Sequence, residues 1–134
     1  MSNKIAHLQM IQGVINRLST NSFLLKGWSI VLISAIFAFA KGGKYSFLVI
    51  SYFPALVFWG LDGYFLYEER IFRKIYEHVR MMSEEEIDFS MKISCDRERI
   101  DSWLSVTTSK TIIAFHGVIL FSITLSIVIS FICL

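Results

Sequence analysis

The stretch TIIAFHGVILFSITLSIVISFICL, Thr111–Leu134, decides the fold: it runs for 24 residues without a formal charge when His116 is neutral. A helix of that length crosses the roughly 30 Å hydrocarbon core of a bilayer. The rest of the chain agrees. Of 134 residues, 54% are hydrophobic, and they fall in blocks. A soluble domain this short buries only about 60–70% of its surface and could not hide such an excess. Lipid is the natural solvent for it.

Working back from Thr111, Asp96 is placed to cap a helix carrying Arg97, Glu98, Arg99, Ile100, Trp103 and Leu104, which runs through Lys110 into this span. Before it, Phe89, Met91 and Ile93 alternate with Asp88, Ser90 and Lys92, the period of an extended piece. Ser83 with Glu86 matches a capping box, ending the preceding helix and starting a short turn. That helix carries Phe65, Phe72, Ile75, Val79 and Met82 on one stripe and continues directly from a second span, Tyr45 to Tyr64, in which Pro54 predicts a kink. Lys41-Gly42-Gly43-Lys44 reads as a tight turn, making the first span, Phe23 to Ala40, an antiparallel neighbour. Its uncharged core, Gly27–Ala40, is short for a bilayer. Lys26 and Lys41 must therefore snorkel at its ends, with Trp28 as an anchor, or other helices must shield it.

The N-terminal segment carries Ile5, Leu8, Ile11, Val14, Ile15 and Leu18 at helical spacing, with Lys4, Gln9, Gln12, Asn16 and Arg17 on the other face. This predicts an amphipathic helix, lying in the membrane interface or packed under neighbouring subunits. Ser19-Thr20-Asn21-Ser22 breaks the pattern and supplies caps. The expected fold is an all-α membrane protein forming one membrane domain, residues 1–134. Its parts are an amphipathic helix (1–21), two spanning helices (22–66), a cytoplasmic helical segment (67–110) and a third spanning helix (111–134). The second and third helices extend into the cytoplasmic region, and the whole is a symmetric homo-oligomer. No cleavable signal peptide precedes the first span. Basic residues concentrate before the first span and between the second and third. The positive-inside rule then places the N-terminus and the central segment on the cytoplasmic side of the membrane.

Several residues are candidates for chemistry. Asp62, beside Gly60 and Gly63, is an intramembrane acid. Such a carboxylate is costly, so it marks a functional site, or else sits at headgroup level bonded to a neighbouring helix or paired with Lys26. Ser122, Ser126 and Ser130 recur every fourth residue, suited to close helix packing or to lining a water-filled pore. His116, near the cytoplasmic end of that span, is a gate, a pH-sensitive group or merely interfacial. Arg70, Arg73, Lys74 and Arg80 project from one side of the long helix, with Tyr67 and Tyr76 near them. Arginines with aromatic platforms hold phosphates and stack bases. Against this, Glu84, Glu85, Glu86 and Asp88 follow and neutralise the ridge, and juxtamembrane basic residues are ordinary lipid anchors.

The formal net charge of +2 implies no strong polyelectrolyte partner. Cys95 and Cys133 lie in different surroundings, so no disulfide between them is expected, and no metal-ligand spacing or cofactor motif occurs. HExxH, GxSxG and Gly-rich phosphate loops are also missing, and the cytoplasmic segment is too small for its own catalytic pocket. A non-enzymatic protein is expected.

Met10–Arg17 (MIQGVINR), Asn21–Trp28 (NSFLLKGW), Phe58–Asp62 (FWGLD) and Asp88–Met91 (DFSM) together resemble the small membrane effectors of Hailong-type bacterial antiphage defence loci, which are paired with a nucleotidyltransferase. The resemblance spans nearly the whole chain but rests on packing-type motifs. It implies a homo-oligomeric channel, a tetramer, held closed by a short oligodeoxyadenylate from the partner enzyme and opened on infection to depolarise the cell. It carries no ligand-site motif, so placing the ligand on the basic ridge is an expectation from the residues. Two other functions fit the residues: a non-conducting membrane anchor or adaptor that recruits a cytosolic partner, and an ungated pore-forming toxin.

Overall fold

A computed structural model describes residues 2–41, 45–92 and 102–133, and these are helical with short connections. Helix α1 spans Asn3–Phe39, α2 Tyr45–Ile50, α3 Tyr52–Met81, α4 Trp103–Thr107 and α5 Lys110–Ile132, with a 3-10 turn at Glu84–Glu86 between α3 and α4. Among the described residues, three helical stretches are long and apolar enough to cross a membrane: Asn3–Phe39, Tyr45–Met81 and Lys110–Ile132. Large apolar side chains on all three point outward, among them Phe23, Phe53, Val118 and Phe121. An outward apolar surface of this kind suits contact with lipid.

The interior is organised around α1 and α3. Their contacts pair Lys4 with Met82, Ile11 and Ile15 with Ile75 and Val79, Lys26 with Asp62, and Ile33 with Ala55. Rising numbers on one helix meet falling numbers on the other, so the two run antiparallel along their whole length. The buried stripe recurs at three- and four-residue steps, as in knobs-into-holes packing. It makes two apolar cores. Ile11, Ile15, Ile75 and Val79 form one, beyond the third span, with Leu8, Phe72 and Tyr76 against it. Ile33, Ala55 and Ile123 form the other, where α5 joins the pair, with Tyr52 and Ile127 against it. Tyr52 and Thr124 hydroxyls also meet at 2.6 Å.

The structure revises several sequence expectations. The amphipathic segment is not a separate helix, because α1 runs unbroken through Ser19–Ser22. These polar side chains find partners other than a cap: Thr20 Oγ1 donates to the Asn16 carbonyl, and Ser22 turns inward. A hydroxyl bonded back to its own helix is compatible with a helix interior. The segment's apolar face packs on the extension of α3 in the same chain. Pro54 does interrupt its helix, and the break falls at Ser51, between α2 and α3. The Ile50 carbonyl loses its donor there, while bonds from Ser51 to Phe47 and from Ala55 to Ser51 persist. The third span is not continuous with the helix before it. Ser109 is extended (φ −64°, ψ 153°) and separates α4 from α5, and Thr108 Oγ1 bonds back to Leu104 and Ser105 carbonyls. Nor does the piece before residue 92 extend fully. Phe89 adopts φ 55°, and Asp88 Oδ1 accepts from the Ser90 N–H, which makes a turn. The Gly42-Gly43 turn, Ile93, Cys95 and the Asp96 cap with the helix at 97–100 lie outside the described residues.

The capping box is present as the sequence predicts: Glu86 Oε2 accepts from the Ser83 N–H and hydroxyl, both at 2.9 Å. These two donors, the backbone N–H first, hold the Glu86 carboxyl below the usual carboxylate range. The cap therefore stabilises the turn above the unfolded carboxyl's titration and is lost as pH falls through the lower folded value. Carboxyl NMR titration should place the Glu86 midpoint below its value in the denaturant-unfolded chain. Ser83→Ala should raise it part of the way, since the backbone donor remains. The same Glu86 midpoint in the folded and unfolded chain would remove the cap from the account.

Candidate functional site: a buried ionic cluster joining three helices

Between the two apolar cores lies a polar layer. Asp62 of α3 is fully buried and accepts from groups on both other long helices. Its Oδ1 receives the Ser22 hydroxyl and Lys26 Nζ (2.8 Å) from α1. Its Oδ2 receives Lys26 Nζ (2.7 Å) and His116 Nε2 (2.8 Å) from α5. Lys26 Nζ also donates to Ser22 Oγ at 3.0 Å. Both carboxylate oxygens are thus doubly satisfied, and the lysine sits astride them.

Aromatic rings close the site. The Trp59 ring lies parallel to His116, centroids 6.1 Å apart, and Trp59 Nε1 donates to the Thr107 carbonyl at 3.0 Å. The Phe115 ring stands 5.8 Å from Lys26 Nζ, within cation–π range. Gly63 lets α4 approach: a Cβ there would overlap Thr107 Oγ1 and lie 3.0 Å from Thr107 Cβ. A side chain at Gly60 would meet Trp103 at 3.8 Å, ordinary contact.

Charge balance explains why this cluster survives inside a span. An isolated ammonium or carboxylate in hydrocarbon is expensive, whereas a paired and hydrogen-bonded one is tolerated. The pairing also resolves the short first span. Lys26 is turned into the bundle and does not snorkel to an end, so the flanking charges become Arg17 and Lys41. From Arg17 to the end of α1 at Phe39 the helix rises about 33 Å, enough for a roughly 30 Å core.

The structure thus brings Asp62 and His116 together, and the Lys26 pairing is the partner weighed for Asp62 from sequence. Ser22 and Trp59 were not singled out. The signal that could have joined His116 to Asp62 is depth. Each lies six residues inside its helix from a flanking charge, Lys110 and Glu68 respectively.

The other candidates lie elsewhere. Ser122 is exposed, while Ser126 and Ser130 are half-buried and Ser130 lies two turns beyond Ile123 on the same side of α5, each hydroxyl donating to the carbonyl four residues earlier at 2.8 Å. Arg73 is held by Glu69 at 2.7 Å and Arg80 by Glu77 at 3.2 Å, Arg70 also has a partner, and Lys74 is exposed. Tyr67 is half-buried, and Tyr76 packs into the α1–α3 core, so its ring is not a free stacking platform. The carboxylates nearest the ridge are thus Glu69 and Glu77 on the same helix, not only the acidic run after it.

His7 is fully buried where α1 meets the turn after α3, its Nε2 3.0 Å from the Ser90 carbonyl and its ring 5.4 Å from Phe89. Beside it, Lys4 Nζ donates to the Met82 carbonyl at 2.9 Å. These contacts strap the turn to the start of α1. Compared with known protein families, curated proteins and solved structures, the chain shows no significant match.

Proposed function

We propose that this chain is a membrane effector of bacterial antiphage defence, of the Hailong type, acting as a homo-oligomeric ion channel in the inner membrane. In this reading the subunits, four in number, surround an axis lined by α5. The N-terminus and the α1–α3 extension face the cytoplasm. A nucleotide or short oligodeoxyadenylate from a partner nucleotidyltransferase sits on Arg70, Arg73, Lys74 and Arg80, with Tyr67 at its edge, and holds the gate closed. Its release depolarises the membrane. A ligand gates only through its different affinity for the two states, so the cytoplasmic extension must differ between closed and open forms.

The observation that carries the reading is the serine face of α5. Ser122 is exposed and Ser126 and Ser130 are half-buried, so the row runs from the outer surface of α5 to the edge of the chain's own core. Hydroxyls gain little from lipid, whereas a ring of them around an axis suits a hydrated path. Flux from liposomes containing the purified protein tests it. Ion flux is expected without ligand and is suppressed by a short oligodeoxyadenylate, and Ser126→Leu should cut the unliganded flux by about tenfold or more through dewetting. Absence of flux under every ligand condition would overturn the channel.

A second reading is favoured by one observation. Glu69 and Glu77 already hold two of the ridge's arginines, which weakens the ridge as a phosphate site. A non-conducting anchor that recruits a cytosolic partner through the α1–α3 extension would need no such site. Stoichiometric capture of that partner without conductance would select it.

A further inference from the structure

The α1–α3 pair leaves a groove on its outer side. Leu24, Leu25, Trp28 and Leu32 of α1 and Phe58 and Phe65 of α3 wall it, with Asn21 at one end. It holds about 410 Å³, is open along its outer side and is walled almost wholly by apolar side chains. A single acyl chain, slender and apolar, can lie against those walls over the roughly 16 Å that the helix rises from Asn21 to Leu32.

The end marked by Asn21 and Phe65 carries charge. Arg17 lies one turn before Asn21 and two before Leu24, on the groove side of α1. Across the mouth, Glu68 lies one turn after Phe65 on α3. Arg17 is exposed and Glu68 half-buried, and among the described residues neither has an ion-pair partner, including each other. The next carboxylate, Glu69, is occupied by Arg73. An open apolar slot thus ends between one free cation and one free anion.

We infer that this groove is a binding site for a zwitterionic phospholipid with a primary ammonium, of the phosphatidylethanolamine class. One acyl chain lies against Trp28, the phosphate takes the Arg17 guanidinium, and the ammonium takes the Glu68 carboxylate. Guanidinium–phosphate pairing is the stronger and more directional of the two contacts. The lipid comes from the leaflet on the side of the α1 N-terminus. An anionic lipid without an ammonium would leave its headgroup facing Glu68, and a choline headgroup cannot donate a hydrogen bond to it.

Trp28 reports occupancy directly. The full-length protein is reconstituted in bilayers in which phosphatidylethanolamine, phosphatidylglycerol or phosphatidylcholine carries mid-chain bromines. The emission quenched at Trp28 is what disappears in Trp28→Phe. At equal mole fraction, brominated phosphatidylethanolamine should quench Trp28 with an apparent affinity about three- to tenfold above the other two, the scale of two partly exposed charge contacts. Arg17→Gln and Glu68→Gln should each reduce that preference while leaving quenching itself. Equal quenching by all three lipids would reduce the groove to ordinary lipid contact and overturn the site. A preference for phosphatidylglycerol that ignores Glu68→Gln would overturn the zwitterion. No quenching by any lipid would mean that a second copy of the chain covers Trp28, and would overturn the proposal outright.

Discussion

Asp62→Asn is expected to destabilise the folded protein by about 3 kcal/mol or more, the cost of leaving one member of a buried ion pair uncompensated. The amide would keep a hydrogen bond from Ser22, yet its nitrogen would turn donors toward Lys26 or His116, where only acceptors are useful. The Lys26 ammonium would remain with neutral acceptors only, the amide Oδ1 and Ser22 Oγ. Its side chain is 27% exposed, so part of the penalty is relieved by solvent or headgroups, which keeps the estimate at the lower end. The informative companion is Lys26→Met with Asp62→Leu together. Removing both charges should restore most of the lost stability, because well-packed apolar residues often replace a buried pair at little cost. Thermal unfolding in detergent, run as a double-mutant cycle, measures the coupling. A double variant as unstable as Asp62→Asn would show that the pair's charges do not dominate this layer.

Gly63→Ala should displace α4 and cost about 1–3 kcal/mol, the range of overpacking in a fitted interior. The added methyl overlaps Thr107 Oγ1 and comes within about 3 Å of Thr107 Cβ and Cγ2. Thr107 is β-branched, so rotation at χ1 cannot take all of its heavy atoms away. Its carbonyl also receives Trp59 Nε1, so a shift of α4 disturbs the ring that stacks on His116. Combining Gly63→Ala with Thr107→Ala should recover part of the loss, since two of the three clashing atoms are gone. Gly60→Ala should be close to neutral, because its Cβ would meet Trp103 only at contact distance. The contrast between the two glycines is read by thermal unfolding together with Trp59 emission. Equal effects at both positions would sink the assignment of Gly63 as the docking point for α4.

The spans were legible because their cause is local. Twenty or so apolar residues in a row have no other stable solvent than lipid, whatever the rest of the chain does. Thr111–Leu134 therefore declared a spanning helix by itself, and the Ser83–Glu86 box declared a helix end because both of its donors and its acceptor lie within four residues. Pro54 was legible for the same reason: it removes one bond of its own helix. Continuity was harder to read. Ser19–Ser22 look like caps in isolation, yet α1 runs through them, because a polar residue caps only when it has no better partner, and Ser22 has Asp62. At Thr107-Thr108-Ser109 the same kind of run does end a helix. Nothing in the two strings of hydroxyls distinguishes them. What does is whether a carboxylate waits across the interface.

Membership of the bilayer, the three helices apolar enough to cross it and the helix end at the Ser83–Glu86 box follow from sequence alone, since each depends on hydropathy or on bonds spanning a few residues. Tertiary structure decided the rest. It turned Thr111–Leu134, which the sequence shows as an uncharged span carrying His116 and a row of serines, into a helix tied to the others by His116 on Asp62 and by Ile123 in the far core. It took Lys26 out of the list of snorkelling residues and made it the counter-charge of Asp62. Pairing of this kind depends on which residues of three helices reach the same depth and face one another. Periodicity along one helix specifies a face, but not the helix that will meet it.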